Sequence, residues 1–180
     1  GLVHPTGYPL YMLIGHAFAQ LPLGEVGFRL NLLSAVLGVA SVGLFFSLIA
    51  AQTQSPLTAL TAAWLYALAP HVWAQSIRAE VYTLHTLLVV SVLCIWFVAQ
   101  YKKIPSFALG YFAVLGLAFA NHATSILLGL GLLASTDWRD PRWRKFSILG
   151  VVLGACLALL LYQYFPWRAG QPGSINYILE

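Results

Sequence analysis

The chain has 180 residues, 60% of them hydrophobic and only 8% charged, with a mean hydropathy of +0.81. A water-soluble domain carries about a quarter of its residues as charged side chains, so this composition excludes a soluble globular protein and implies an integral membrane one. The net charge of +4 is small, and the basic residues flank apolar runs instead of alternating with aromatics, which argues for membrane topology and against a nucleic-acid surface.

Several separate apolar runs of about 18 residues predict an all-α, polytopic transmembrane helix bundle. A barrel would instead alternate apolar and polar residues over about ten positions. Cys94 and Cys156 each lie inside an apolar run and read as free thiols. The chain opens on Gly1 rather than Met and ends at Glu180 with no closing element, so it is read as a piece of a longer protein forming one membrane domain over 1–180.

His4-Pro-Thr-Gly-Tyr-Pro9 is a rigid turn, because two prolines and a glycine forbid regular helix there. Residues 10–21 follow as a short apolar stretch of about 18 Å, too short to cross a hydrocarbon core of about 30 Å, and are expected to form an interfacial or re-entrant helix. Spans are predicted over 28–49, 57–73, 81–98 and 147–164, with Pro70 kinking or ending the second. Residues 107–134 are different. As one straight helix they would reach about 42 Å and strand Asn121-His122 at mid-membrane. Folded back at Asn121-His-Ala-Thr124, they form a half-depth helical hairpin, which is tolerated where its apex lines a cavity. The hairpin also puts Lys102, Lys103, Arg139, Arg142, Arg144 and Lys145 on one membrane face, as the positive-inside rule prefers.

The opposite face then gathers the scarce polar groups. Arg78-Ala-Glu80-Val-Tyr82-Thr-Leu-His85 is the richest stretch: on a helix beginning at Glu80, Arg78, Tyr82 and His85 share one stripe and Glu80 occupies the favourable first turn. Ionisable groups at the edge of a lipid-facing segment mark a functional site unless they merely pair at the interface. Arg29, Arg78 and Arg168 can clamp a phosphate or pyrophosphate, since guanidinium forks onto anionic oxygens, or can meet lipid headgroups. Glu80 is a candidate general base, with Tyr82 or His85 orienting it. His4, His71, His85 and His122 show no helical zinc spacing, so no metal site is expected.

Five blocks carry a family resemblance: Gly1–Tyr11, Phe28–Ser34, Ala79–His85, Gly116–His122 and Tyr164–Ala169. In this order they resemble a bacterial multi-pass membrane family, long labelled a domain of unknown function, that is related to the eukaryotic O-mannosyltransferase acting on plexin-type receptor domains. The resemblance implies a GT-C glycosyltransferase fold. It also implies a polyprenyl-phosphate sugar as donor substrate, with no certain cofactor, a protein or glycan acceptor, and a site facing the periplasm of a bacterial inner membrane or the lumen of the endoplasmic reticulum. Carried onto this chain, it places the His4-Pro5 turn, Glu80, Tyr82, Asn121, His122 and Arg168 around the site, and Tyr8 and His85 are further candidates for binding the substrate. The family's acidic Asp-x-Gly-Glu-like motif belongs before the His-Pro turn, upstream of Gly1, which leaves Glu80 a secondary candidate for the catalytic base. Two other classes compete: a transporter or lipid flippase, and a noncatalytic membrane assembly subunit.

Overall fold

The computed structural model describes residues 8–170, apart from the side chains of Arg168 and Ala169. The described chain is helical throughout: α1 (Pro9–Ala19), α2 (Val26–Thr53), α3 (Pro56–Leu68), α4 (Pro70–Ser76), α5 (Tyr82–Lys102), α6 (Phe107–Asn121), α7 (Ser125–Ala134), α8 (Pro141–Tyr162) and α9 (Tyr164–Ala169). Proline opens α1, α3, α4 and α8, where its missing N–H costs no helical bond. Ser55 and Asp140 cap α3 and α8 by accepting from the N–H of Thr58 and Arg142. Gln54 and Lys103 adopt left-handed φ of 54° and 52° and so close α2 and α5.

Three helical stretches are long and apolar enough to cross a membrane: Val26–Thr53, Tyr82–Lys102 and Pro141–Trp167. Large apolar side chains such as Val39, Leu57 and Leu65 remain more than 70% exposed, which water would penalise and lipid does not. The chain is an integral membrane protein.

The packing fixes helix directions. Near the starts of α2 and α5 the Glu80 N–H donates to the Ser34 hydroxyl at 3.4 Å, and further along both helices the Cys94 thiol reaches the Leu44 carbonyl at 3.6 Å, so the two run parallel. α6 runs the other way, from Ala108 beside Ala99 in the core to Asn121 beside Val81. α8 follows α6 in parallel: Gly150 abuts Ala108, Gly154 abuts Phe112 and Gly116, and the rings of Phe119 and Tyr162 lie 6.4 Å apart. Side chains larger than hydrogen at Gly116 or Gly154 would enter the opposing backbone, so this contact exists only because both positions are glycine.

The hinge at His122–Thr124 separates α6 from α7. α7 doubles back along α6, with Gly129 against Leu115, and brings Ser135 to the far part of α5, where it accepts from the Trp96 indole at 3.1 Å. Trp143 at the start of α8 joins the same core cluster as Ala99 and Leu132. Lys102, Lys103, Arg139, Arg142, Arg144 and Lys145 therefore lie exposed at one end of the bundle, and the 121–124 hinge lies at the other.

Several boundaries differ from the sequence reading. The segment 57–73 is not one helix: Ala69 is extended, with ψ 129°, and Pro70 starts a separate seven-residue helix. α3 alone, at 13 residues, reaches about 20 Å. α2 runs past 49 to Thr53 because nothing breaks it before Gln54, and α8 starts before 147 because Asp140 and Pro141 nucleate it. α5 begins at Tyr82 rather than Glu80, which takes Arg78 off the stripe with Tyr82 and His85. Tertiary bonds hold the turn that precedes it: the Ser34 hydroxyl takes the Glu80 N–H, and the Asn121 amide donates at 3.1 Å to the Val81 carbonyl, which also accepts from the His85 N–H.

Candidate functional site

The hinge end of the bundle is built by α1, the turn before α5, the first turn of α5 and the end of α6. Asn121 is fully buried there, and its amide nitrogen ties α6 to the Val81 carbonyl. The extended backbone of His122, φ −156° and ψ 124°, then turns its ring out of the helix. Three rings surround it. Tyr8 stacks on His122 with centroids 6.0 Å apart, Tyr82 lies at 5.6 Å and His85 at 5.1 Å.

Thr124 links the two histidines. Its Oγ1 is 2.8 Å from His122 Nδ1 and 3.4 Å from His85 Nε2, while its backbone N–H donates to His122 Nδ1 at 3.4 Å. A backbone N–H can only donate, so His122 Nδ1 carries a lone pair and the proton of the neutral ring sits on Nε2. The Thr124 hydroxyl then donates to His122 and accepts from His85 Nε2–H. The result is a His122 presenting Nε2–H, and a His85 whose buried Nδ1 has no hydrogen-bond partner among the described residues. Asn121 Oδ1 is likewise buried without a partner. Unmatched buried acceptors are expensive in a finished core and common where a ligand or water completes the set.

On the α1 side, the Tyr11 hydroxyl is buried near Ser34 and Glu80. Burial lifts its pKa above the ordinary phenol value, and the Glu80 carboxylate pushes the same way while the Ser34 hydroxyl opposes, so Tyr11 is a proton donor at neutral pH. Glu80 itself is half-buried, facing this corner.

The site residues expected from sequence divide accordingly. Tyr8, Tyr82, His85, Asn121 and His122 come together, with Glu80 beside Tyr11. Arg29 does not join them as an anion clamp: its guanidinium donates to the carbonyls of Ala19, Leu23 (2.9 Å) and Gly24 (2.8 Å), closing the α1–α2 connection. Arg78 is exposed in the turn before α5. His4 and the side chain of Arg168 lie outside the described residues. Sequence reasoning missed Tyr11, Ser34 and Thr124 as members of this end. The His-x-Thr spacing at 122–124 was a usable signal for the last, since a hydroxyl two residues on can bond back to a turn. Among the described residues no three His, Cys, Asp or Glu side chains are grouped to hold a metal ion.

Residues 1–144 match the family model of the protein O-mannosyl-transferase TMEM260 N-terminal domain. The chain belongs to this family. The TMEM260 match spans every residue of the ring cluster and stops short of Arg168. The chain is 29% identical over 175 residues to the protein O-mannosyl-transferase TMEM260 of Mus musculus, covering 92% of this chain and 25% of the mouse protein. It is 24% identical over 93 residues to the protein O-mannosyl-transferase tmem260 of Dictyostelium discoideum, covering 49% of this chain and 11% of that protein. The chain thus spans about a quarter of the mouse relative's length. No solved structure matches it. The O-mannosyltransferase side of the expected family is therefore met.

Proposed function

We propose that this chain is the substrate-facing part of a GT-C membrane glycosyltransferase that moves a sugar from a polyprenyl phosphate to a hydroxyl of a protein or glycan acceptor. The observation that carries the reading is the family match over 1–144, which contains the whole of the Tyr8, Tyr82, His85, Asn121 and His122 cluster. Two features of the fold support it. The cluster lies at the opposite end of the bundle from six exposed Lys and Arg residues, so the positive-inside rule directs the cluster to the periplasmic or lumenal face of a bacterial inner membrane or endoplasmic reticulum. A groove of about 380 Å³, lined by Phe112, Leu115, Ile126, Leu130 and Leu159, runs between α6, α7 and α8 and suits a hydrocarbon chain. In the same reading α6 and α7 form a hairpin that enters the bilayer only part-way, with its hinge in the site.

The transfer joins the acceptor oxygen to the anomeric carbon as the bond from that carbon to the phosphate oxygen breaks, with inversion. The acceptor's proton passes to a carboxylate and the electron pair leaves with the polyprenyl phosphate. Within the chain Glu80 is the carboxylate proposed for this role. His122 Nε2–H is a donor able to meet charge growing on the leaving phosphate, the kind of preorganised stabilisation that lowers a transition state most. Arg168 is proposed as a cation for the same phosphate.

Full-length protein in proteoliposomes, given polyprenyl-phosphate mannose and a hydroxyl-bearing acceptor peptide, is expected to release polyprenyl phosphate, and Glu80→Gln or Arg168→Ala to suppress that release. Unchanged rates in both variants would remove those two roles. No release with any lipid-linked sugar would remove the function itself.

A further inference from the structure

The end of the bundle opposite the hinge carries a charge that the described fold leaves uncompensated. Lys102 and Lys103 close α5, Arg139 lies in the α7–α8 connection, and Arg142, Arg144 and Lys145 stand at the start of α8, all six exposed. Trp143 and Ala99 belong to one core cluster, so the start of α8 and the end of α5 carry their cations to the same place. Among the described residues none of the six side chains has an ion pair or a hydrogen bond; Lys145 makes only a ring contact, 5.9 Å over Phe146. Two carboxylates stand among them, and both are turned to the backbone. Asp137 accepts from the Arg139 N–H at 3.1 Å and Asp140 from the Arg142 N–H at 2.7 Å. Six cations against two carboxylates leave four positive charges in excess.

The positive-inside bias accounts for the sign of this patch, and its surroundings select what it binds. The exposed rings of Tyr101, Phe107 and Trp138 flank the cations, as aromatic side chains do at the level of lipid headgroups. Beyond Lys145 the same face of α8 continues as Ile148, Leu149 and Val152, which are 51%, 46% and 55% exposed and lie within about 10 Å along the axis. Unpaired cations next to bare hydrocarbon match an amphiphile with an anionic head and acyl chains. A water-soluble acidic partner would use the cations and leave the apolar stripe uncovered. A zwitterionic lipid would cover the stripe but brings its own cation, which offsets the attraction.

We infer that this end of the bundle is a binding surface for a bilayer phospholipid with an anionic headgroup, such as phosphatidylglycerol, its phosphate among the α5 and α8 cations and a chain along Ile148, Leu149 and Val152. The surface stands at the far end of the helices from the ring cluster, so it is separate from the site proposed above for a lipid-linked sugar and does not rest on that reading.

Native mass spectrometry of the full-length protein, titrated in detergent with phosphatidylglycerol or phosphatidylcholine of the same chains, tests the surface. The wild type is expected to bind the first phosphatidylglycerol at least about tenfold more tightly, from two or more cations each worth about fivefold near an anionic headgroup. The combined Arg142→Gln, Arg144→Gln and Lys145→Gln variant is expected to bring the two lipids within twofold of each other. The combined Arg142→Lys and Arg144→Lys variant, which keeps the charge, is expected to retain the preference. Equal affinity for the two lipids in the wild type would overturn the inference and leave the patch to a water-soluble acidic partner. A preference that survives the triple substitution would overturn it too, by placing the anionic lipid elsewhere on the protein. Loss of the preference in the charge-keeping variant would also count against it, because charge would then not be what selects the lipid.

Discussion

The α6–α8 seam and the hinge end of α6 are parts of the same helix with opposite logic. Along the seam Gly116, Gly150 and Gly154 bring two backbones into contact, so that Gly150 has no room for a Cβ: one built there would stand 2.7 Å from the Ala108 carbonyl oxygen. A few residues later, at Asn121 and His122, the helix ends among polar side chains whose acceptors are left over. The seam is a finished interface that holds α6 rigid. The hinge is an unfinished one that this rigidity keeps in place. In a membrane, where water cannot complete a buried polar group, such a contrast separates structure from site.

The seam breaks most easily. Gly154→Leu should force α6 and α8 apart and cost about 3 kcal/mol, the upper end for overpacking. Thermal unfolding of the full-length protein in detergent is expected to show a lower Tm, and an unchanged Tm would mean the two backbones are not in contact. At the hinge the effect should fall on activity instead. His122→Phe keeps a ring for Tyr8 and Tyr82 to pack on but removes the N–H, so lipid-phosphate release should drop about a hundredfold while Tm stays near wild type. A parallel loss of stability would turn His122 into a packing residue.

Thr124 sharpens the contrast further. Thr124→Val removes the hydroxyl that joins His122 to His85 and should lower turnover about five- to tenfold, one hydrogen bond's worth. Thr124→Ser should restore it, and nitrogen NMR of His122 should show the Nε2–H form in the wild type and a mixture of tautomers in Thr124→Val. Equal turnover in Val and Ser variants would dismiss the link. The smallest effect belongs to Arg78→Ala. An exposed side chain in the turn before α5 should change stability by less than about 0.5 kcal/mol and leave turnover near wild type. A large loss there would restore Arg78 to the anion clamp.

Much of this arrangement was legible in the residues. Pro56, Pro70 and Pro141 mark helix starts by chemistry that acts within one turn, and Asn121-His122 inside an otherwise apolar run signals a break because lipid will not accept it. The late start of α5 was not legible. The turn before it is bonded to Ser34 and Asn121, which lie 46 and 40 residues from their partners, and no local pattern reports a bond made across the bundle. The bonds of Arg29 were not legible for a related reason: a cation near a helix entrance looks the same in sequence whether it faces a substrate or the carbonyls of its own loop. The shared end of Tyr82, His85, Asn121 and His122 was legible because the first two stand at the start of an apolar run and the last two interrupt one, and helix direction then carries them together.

That shared end is open to direct measurement by compartment-specific labelling. In otherwise cysteine-free full-length protein in sealed vesicles, single cysteines at Lys103 and Arg142 are expected to react with a membrane-impermeant maleimide from the same side, and a cysteine at Thr124 from the opposite side. Labelling of Lys103 and Arg142 from opposite sides would mean that 107–134 crosses the membrane once, and would contradict the folded-back hinge on which the site depends.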